Sequence, residues 1–335
     1  MLIEVNKEFK TPIYKQIINS ILKNIDDGTI GIGSQLPLIN HIALEYNLAK
    51  ETVLKSYHHL QGKGILQTVH GKGFFVASDN VATEHRVFIL FDAFSAYKEA
   101  IYLAMKEEFG KKATIDLFFH HYNPKVFKQM VSDAVGNYTS YLVLPFDDPN
   151  ITKLLEPIPF EKLVLIDRKP RSYTKKYNGV FQDFDNDIYN SLFEAKDNLP
   201  KYNKLILVFR NLITAVPAEL KKGFERFCKD FKVNYQVLTD PLKESKLECK
   251  TAYIVIDDED LVFLVENANR QKLKIGKDIG IISYNDTSLK KVISNGISVI
   301  STDFVKMGKD ACNMIKTSTM VCKSNPSSFI DRGSF

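Results

Sequence analysis

Apolar residues recur along the chain with two different periods, and the period changes near residue 85. Before that point an isoleucine-rich segment repeats apolar positions every three or four residues, which predicts an amphipathic helix. Its apolar positions are Tyr14, Ile17, Ile18, Ile21 and Ile25. The preceding Thr11-Pro12 predicts an N-cap followed by proline at the first helical position, and Gly28 predicts the end of the helix.

Two more helices and a hairpin are predicted in the same region. One helix is expected at Leu38–Tyr46 and the next at Lys50–Lys63. Two short strands, Ile65–Val69 and Gly73–Ala77, follow and are joined by His70-Gly71-Lys72. Helix, helix, turn, helix and hairpin, in this order, predict a winged helix-turn-helix domain.

The second part of the chain alternates continuous apolar runs with amphipathic helices. The runs that predict strands are Val87–Phe91, Thr114–Phe119, Ser140–Leu144, Lys162–Ile166, Leu205–Phe209, Asn234–Leu238, Ala252–Ile256 and Ile279–Ser283. Buried strands that alternate with helices are typical of parallel βαβ sheets, and the length of this part suits two lobes. The predicted fold class is α/β, with a winged helix-turn-helix domain at residues 1–77, a polar linker at 78–85 and a two-lobed, Rossmann-like domain at 86–335.

Composition and charge exclude several classes of protein. The net charge is +5, yet residues 1–85 hold eight lysines and eight acidic residues, so charge alone does not predict nucleic-acid binding. The longest apolar runs are too short to cross a membrane, and the charged segment Met1–Lys10 is not a signal peptide. Four cysteines without C-x-x-C spacing predict free thiols in a reducing cytoplasm.

A series of motifs runs through residues 11–76 in a fixed order. They are Thr11-Pro12-Ile13-Tyr14-Lys15-Gln16-Ile17, Gly28, Gly33, Leu36-Pro37, Glu51-Thr52-Val53, Tyr57, Leu60, Gly64 and Gly71-Lys72-Gly73-Phe74-Phe75-Val76. Together they resemble the GntR family of bacterial transcription regulators. The resemblance implies that the third helix enters the major groove of DNA and that the hairpin reaches the minor groove or the backbone.

The same resemblance implies a set of DNA contacts. The residues are Asn40, Lys50, Glu51, Thr52, Lys55, His70, Gly71 and Lys72. The family often has serine and arginine where this chain has Leu38 and Asn40, and again where it has Ala49-Lys50. Without those arginines, contacts to adenine or phosphate are favoured over bidentate contacts to guanine.

Shorter motifs run through the second part of the chain. They are Leu165-Ile166-Asp167-Arg168, Val180–Asp183, Gly223-Phe224, Asp258 with Asp278–Asp286, Met307-Gly308 and Phe329–Ser334. Together they resemble the sugar-binding core of the lactose-repressor family, which is similar to periplasmic binding proteins. The resemblance implies lobe borders near Phe184, Thr302 and Pro326, and a ligand between the lobes at the carboxyl ends of parallel strands.

Hydrogen-bonding residues follow most of the predicted strands. In the first lobe the candidate ligand contacts are Asp92, Ser95, Tyr97, His120, His121, Asp147, Asp167 and Arg168. In the second lobe they are Asp183, Arg210, Lys221, Asp257, Asn285 and Asp303. Carboxylates and amides bind vicinal hydroxyl groups, arginine binds two oxygens, and an aromatic ring covers the apolar face of a sugar. Leu220 replaces an arginine of the family, so Lys221 or Arg210 is expected to make its contact with the ring hydroxyls.

Simpler structural explanations stay open for two of these groups. The acids from Asp257 to Asp260 also suit the exposed start of a helix. His120 and His121 point to opposite sides of an extended strand, so joint binding of a metal ion is not expected. One of the two histidines is expected in the crevice.

The expected function is a sugar-responsive, DNA-binding transcription regulator in the cytoplasm. The resemblance implies a repressor of a carbohydrate-utilisation operon, a homodimer on inverted-repeat operator DNA, and an effector such as arabinose or fucose. Control by a protein partner or by a non-sugar ligand is the alternative. No catalytic residue, cofactor, metal ion or membrane is expected, since the chain lacks G-x-S-x-G, Walker and zincin sequences.

Overall fold

The first domain is built from helices that pack around isoleucine side chains. The computed structural model describes residues 2–9, 11–79, 85–110, 113–146, 148–173, 177–210, 217–240, 242, 247–317 and 321–335. The elements of this domain are α1 (Ile13–Asp26), α2 (Ile39–Glu45), α3 (Lys50–Gly62), β1 (Leu66–Val69) and β2 (Gly73–Val76). The two strands pair antiparallel and form a hairpin. Below, this domain is called the head.

The segment before α1 connects the head to the rest of the molecule. Ile3 is buried in the core of the head, whereas Phe9 packs against the core of the first lobe. The predicted N-cap at Thr11 is wrong: α1 begins at Ile13 with Pro12 in the cap position, and the Thr11 hydroxyl makes no cap bond. A Cβ on Gly136, whose φ is +82°, would lie 2.4 Å from Thr11 Oγ1, so glycine is what permits this close approach.

The remaining elements form two sheets of similar construction. The first lobe contains β3 (His85–Phe91), α4 (Ala96–Phe109), β4 (Ala113–Phe119), α5 (Pro124–Ala134), β5 (Ser140–Val143), α6 (Ile151–Leu155), β6 (Leu163–Asp167) and β7 (Asn178–Phe181). The second lobe contains α7 (Phe184–Glu194), β8 (Lys204–Val208), α8 (Ala218–Asp230), β9 (Tyr235–Leu238), β10 (Thr251–Val255), α9 (Asp258–Arg270), β11 (Ile279–Tyr284) and β12 (Ser298–Thr302). The chain then returns with α10 (Phe304–Thr317) and β13 (Cys322–Ser324) to the first lobe, and ends with β14 (Ser327–Ile330) in the second.

Strand order explains why the central strands are continuously apolar. The sheets run β13-β7-β6-β5-β3-β4 and β14-β12-β11-β10-β8-β9, and all pairs are parallel except β12 with β14. In β3, Val87 and Ile89 face a core shared with α4 and α10, whereas Phe88 and Leu90 face a core shared with α5. Because helices cover both faces, both sets of side chains are buried.

Three segments connect the lobes. They follow β7, β12 and β13, and they contain Gln182, Asp303 and Asn325, respectively. Since all strands of each sheet except β14 run parallel, the carboxyl ends of these strands lie along one edge, where the polar loops of that lobe gather. No helix in the described part of the chain combines the length and hydrophobicity that a membrane span requires.

Candidate functional site

The head presents its predicted DNA contacts at the surface. Thr52 is half-buried, and the other seven residues are exposed: Asn40, Lys50, Glu51, Lys55, His70, Gly71 and Lys72. The N-cap of α3 is Ala49, whose side chain cannot cap the helix. The start of α3 therefore offers backbone donors and a lysine to an anionic group.

The hairpin tip is held against the segment before α2. Gly71 has a φ of +73°, and the Lys72 amide donates to the Val69 carbonyl at 3.0 Å, which closes the turn. Gln35 Nε2 donates to the Lys72 carbonyl at 2.6 Å. On α3, Lys55 places its ammonium group 4.3 Å from the centre of the Tyr14 ring, a cation–π contact with α1.

The first lobe carries a buried charged network at the end of β3. Asp92 is 0 % exposed and Lys98 is 4 % exposed, and the Lys98 ammonium bonds to Asp92 Oδ1. The Tyr122 hydroxyl donates to Asp92 Oδ2 at 2.6 Å, and the Ala93 amide donates to Oδ1 at 2.6 Å. Burial opposes ionisation of Asp92, but Lys98 and Tyr122 outweigh it and lower the pKa of this carboxyl group.

The two adjacent histidines differ in their surroundings. His120 is buried, its Nδ1 accepts from the Tyr122 amide at 3.2 Å, and its Nε2 lies 3.3 Å from the Leu144 carbonyl. Burial lowers the pKa of His120 to about 4, so it is neutral at neutral pH. His121 is exposed and has a φ of +48°.

Asp167 and Arg168 lie at the end of β6. Asp167 is buried with a φ of +71°, and its Oδ1 accepts from Gln182 Nε2. Burial raises the pKa of Asp167, and the Arg168 charge opposes that shift. Among the described residues, Arg168 Nε is buried without a hydrogen-bond partner, as is Ser95 Oγ. Tyr97 packs against the Phe304 ring at 4.5 Å.

The second lobe places an arginine beside the acids at the start of α9. Arg210 Nη2 donates to Asp260 Oδ1 at 2.7 Å, and Nη1 lies 3.8 Å from Asp257 Oδ2 and 3.7 Å from Glu259 Oε2. Asp257 also caps α9 by accepting from the Glu259 amide at 2.8 Å. Asp258 instead pairs with Lys290 at 3.0 Å. The acids therefore both start the helix and bind Arg210.

The other candidate ligand contacts of the second lobe differ in exposure and in hydrogen-bond partners. Asp183 accepts from Asn186 Nδ2 at 2.8 Å. Asn285 has a φ of +63°, and its Oδ1 has no partner within the described residues. Asp303 is exposed and accepts from the Lys306 amide at 2.8 Å, whereas Lys221 pairs with Glu225 on α8 at 3.8 Å. The remaining first-lobe candidate, Asp147, lies outside the described residues.

An electrostatic interaction links the two lobes at the carboxyl ends of their parallel strands. Burial raises the pKa of Tyr284 well above its ordinary value, and the charges of Asp187 and Asp167 add to the shift. The charge of Asp167 at the end of β6 therefore acts on Tyr284 at the end of β11, in the other lobe. The Tyr284 hydroxyl is buried and, like Ser283 Oγ, has no partner in the described part of the chain. Unpartnered buried polar atoms on both edges mark a place that a hydroxyl-rich molecule can satisfy.

Sequence reasoning missed several residues of this site. They are Lys98, Tyr122, Gln182, Asp260 and Tyr284. A signal for Lys98 was available, because it stands three and seven residues before two buried positions of α4, Ile101 and Met105. No comparable signal pointed to Gln182.

Two family models match the chain. The family "Bacterial regulatory proteins, gntR family" matches residues 13–76. The family "Periplasmic binding protein-like domain" matches residues 205–325. The chain therefore joins a GntR helix-turn-helix domain to a periplasmic binding protein-like domain. Both resemblances predicted from the sequence are confirmed.

Curated proteins that are similar to part of this chain include named repressors. An HTH-type transcriptional repressor of Salmonella typhimurium is 36 % identical over 75 residues, which are 22 % of this chain and 31 % of that protein. The repressor YtrA of Bacillus subtilis is 32 % identical over 82 residues, 24 % of this chain and 62 % of YtrA. A probable fructoselysine utilization operon repressor of Escherichia coli is 32 % identical over 69 residues, 21 % of this chain and 28 % of that protein. The chain thus spans less than two thirds of each of these relatives.

Solved structures share the two-lobed fold. A dimeric Lac repressor superposes with a TM-score of 0.63 at 13 % identity, covering 74 % of this chain and 98 % of that one. A LacI-family regulator of Lactobacillus casei with bound glucose gives 0.60 at 10 % identity, with coverage of 75 % and 99 %. The trehalose repressor of Escherichia coli gives 0.60 at 13 % identity, with coverage of 74 % and 100 %. The predicted α/β fold class, with a helix-turn-helix head and two parallel-sheet lobes, is confirmed.

Proposed function

We propose that this GntR protein is a cytoplasmic transcriptional repressor that binds operator DNA through its head and a monosaccharide between its lobes. The observation that carries the proposal is the combination of an exposed α3 N-terminus in the head with unpartnered buried polar atoms on both lobe edges. The named relatives agree with it, since three of them are repressors. A regulator needs no catalytic group, so the ligand should leave the protein chemically unchanged.

The DNA-binding part of the proposal assigns different contacts to helices α2 and α3 and to the hairpin. Lys50 and Asn40 are expected to contact base edges, whereas Lys72 is expected to contact phosphate. Lys72→Ala should therefore weaken binding to all DNA about equally and lower the salt dependence by about one phosphate contact. Lys50→Ala and Asn40→Ala should also relax sequence preference, with a cost of about 1–3 kcal/mol on the best site.

Selection from a random DNA library followed by fluorescence anisotropy measures both effects. Lys63→Ala is the matched control, because Lys63 is an exposed lysine at the opposite end of α3. It should leave both affinity and preference unchanged. Equal losses of affinity on every DNA sequence for Lys72→Ala, Lys50→Ala and Asn40→Ala would contradict the base-reading role of Lys50 and Asn40.

The homodimer in this proposal has a suitable surface in the second lobe. Leu289 and Val292 are 70 % and 71 % exposed, and they flank Lys290, which bonds to Asp258 at the start of α9. Val262, one helical turn after Asp258 on α9, is a third exposed apolar side chain of the second lobe. A two-fold dimer through this face would place two heads on an inverted repeat. Sedimentation should show a dimer that Val292→Glu weakens at least tenfold, whereas a monomeric wild type would contradict this assembly.

Charge balance favours an uncharged ligand. Lys98 is committed to Asp92, Arg210 to Asp260, and Arg168 is the neighbour of Asp167. A phosphate or carboxylate ligand would therefore find Lys98 and Arg210 already paired, and Arg168 beside the acid Asp167. Hydroxyl groups can both donate and accept, which suits Ser95, Arg168 and Tyr284 with their unpartnered atoms. Arabinose or fucose fits this description.

Thermal-shift measurements with neutral monosaccharides, amino sugars and sugar phosphates test the ligand. A sugar at about one hundred times its Kd should add about 2.7 kcal/mol of stability. Arg168→Ala should abolish the shift, while Arg270→Ala, an exposed arginine on α9, should not. A shift only with phosphates would contradict the charge argument, and no shift with any sugar would favour control by a protein partner or a non-sugar ligand.

A further inference from the structure

Gln182 lies between the ligand edge of the first lobe and the segments that connect the two lobes. It follows β7 and is buried. Its Nε2 donates to Asp167 Oδ1, and its backbone amide donates to the Asp167 carbonyl at 3.0 Å. Its Oε1 accepts from the Thr302 hydroxyl at 2.8 Å. One carboxamide therefore joins the end of β6 in one lobe to the end of β12 in the other.

The other connecting segments are bonded to the same place. The backbone amide of Asn325 donates at 2.7 Å to the carbonyl of Phe181, the residue before Gln182. The side-chain Nδ2 of Asn325 donates at 2.6 Å to the backbone carbonyl of Asp303, the residue after Thr302. All three segments between the lobes are thus hydrogen-bonded to one another. Gln182 additionally bonds them to Asp167, the residue before Arg168.

The chemistry of the amide fixes the direction of these bonds. The amide nitrogen of Gln182 can only donate, and it donates to Asp167 Oδ1. The amide oxygen then faces Thr302, whose hydroxyl must donate. Methionine has a similar size but neither a comparable donor nor a strong acceptor, so it would remove both links while filling the space.

We propose that Gln182 is a positioning residue that couples occupation of the crevice at Arg168 to the closure of the lobes. The ligand part of this inference rests on the proposed function, because it requires that Arg168 contacts the effector. Because Arg168 directly follows Asp167 in the chain, a sugar bound to Arg168 shifts the end of β6, and Gln182 passes that shift from Asp167 to Thr302. A ligand shifts the balance between open and closed lobes only through such a differential contact.

Two native cysteines allow the coupling to be measured without new labelling sites. Cys249 in the second lobe and Cys322 in the first are exposed, whereas Cys228 and Cys312 are buried. Spin labels on the exposed pair report the distance between the lobes by double electron–electron resonance. In the ligand-free full-length protein, Gln182→Met and Thr302→Val should each widen the distance distribution at least twofold.

The double variant should be no wider than either single variant, since both changes remove the same link. Gln236→Met, the same substitution at an exposed position of β9, is the control and should match the wild type. Unchanged widths in both Gln182→Met and Thr302→Val would overturn the proposal. Thr302→Val alone decides the outcome if Gln182→Met does not fold.

The distance measurement is repeated with L-arabinose or L-fucose, whichever sugar raises the melting temperature of the wild type. At a saturating concentration of that sugar, the sugar-induced change in the inter-label distance should be at least fivefold smaller in Gln182→Met than in the wild type. An undiminished distance change would contradict the coupling role. If neither sugar binds the wild type, arabinose and fucose fail as effectors, and the ligand-free widths still decide the role of Gln182.

Discussion

The two lobes have corresponding strand orders but different chemistry at the edges that face each other. In the first lobe the charges are enclosed: Asp92 and Lys98 are buried together, and His120 is neutral beside them. In the second lobe Arg210 is bonded to the buried Asp260, but its other acidic neighbours reach solvent. Enclosed pairs fix side-chain geometry, whereas pairs that reach water can rearrange. We infer that the first lobe supplies the preformed half of the crevice and the second lobe the adaptable half.

Removing Lys98 should produce the largest effect and test how enclosed the first lobe is. Lys98→Met leaves Asp92 buried without its countercharge, and it should cost about 3–5 kcal/mol of unfolding free energy. Arg210→Met should cost less, about 2 kcal/mol, because water reaches that cluster more easily. Urea unfolding at pH 7 measures both. Adding Asp92→Asn to Lys98→Met should recover part of the loss, and equal losses for the two single variants would erase the contrast.

His120 should give the first lobe a dependence on acid. Its folded-state pKa of about 4 lies below the value of an unfolded histidine near 6.5, so the unfolded chain binds the extra proton first. The free energy of unfolding should therefore fall by about 3 kcal/mol as the pH drops from 6.5 to 4. His120→Gln should remove that part of the slope in pH-dependent urea melts. His121→Gln, at the exposed neighbour, should keep it.

Asp187 should give the second lobe the opposite dependence. Burial raises the pKa of Asp187 to about 7, so the folded protein binds a proton that the unfolded chain has already released above pH 4. Its contribution to stability is present below pH 4 and is lost as the pH rises through 7. Asp187→Asn should therefore stabilise the protein by about 2 kcal/mol at pH 8 and change little at pH 3, where both states are protonated. A gain of the same size at pH 3 would assign the effect to packing instead.

Lys221 should show the smallest effect. It pairs with Glu225 on the surface of α8, and exposed pairs one turn apart contribute about 0.3–0.5 kcal/mol. We expect Lys221→Ala to change stability by no more than this. Calorimetric titration of the variant with the best sugar decides whether Lys221 also contacts the ligand. An affinity loss of tenfold or more would show that the second-lobe edge rearranges when ligand binds.

Sequence patterns were most informative where burial dictates residue type. The apolar runs of β3 and β11 are visible because helices cover both faces of these strands. The patterns did not reveal four strands. β13 and β14 are edge strands with few apolar residues and much exposed surface, whereas β7 and β12 are buried but short and contain asparagine, glycine, serine or threonine. Helical spacing places Lys98 on the buried face of α4, but the sequence could not show that Asp92 is its partner, since that depends on the turn that brings α4 back over Asp92. The strand-end residues proposed as ligand contacts remain predictions.

The return of α10 to the first lobe has a consequence for synthesis on the ribosome. Phe304 and Met307 belong to the same core as Ile101 of α4, and a Cβ on Gly308 would lie 2.6 Å from the Ile101 carbonyl oxygen. Almost the whole second lobe is translated between these partners. The first lobe therefore stays incomplete, with its apolar α4 face uncovered, until the chain has emerged past Thr317. A chaperone that shields this face would be needed longest while the second lobe is still being made.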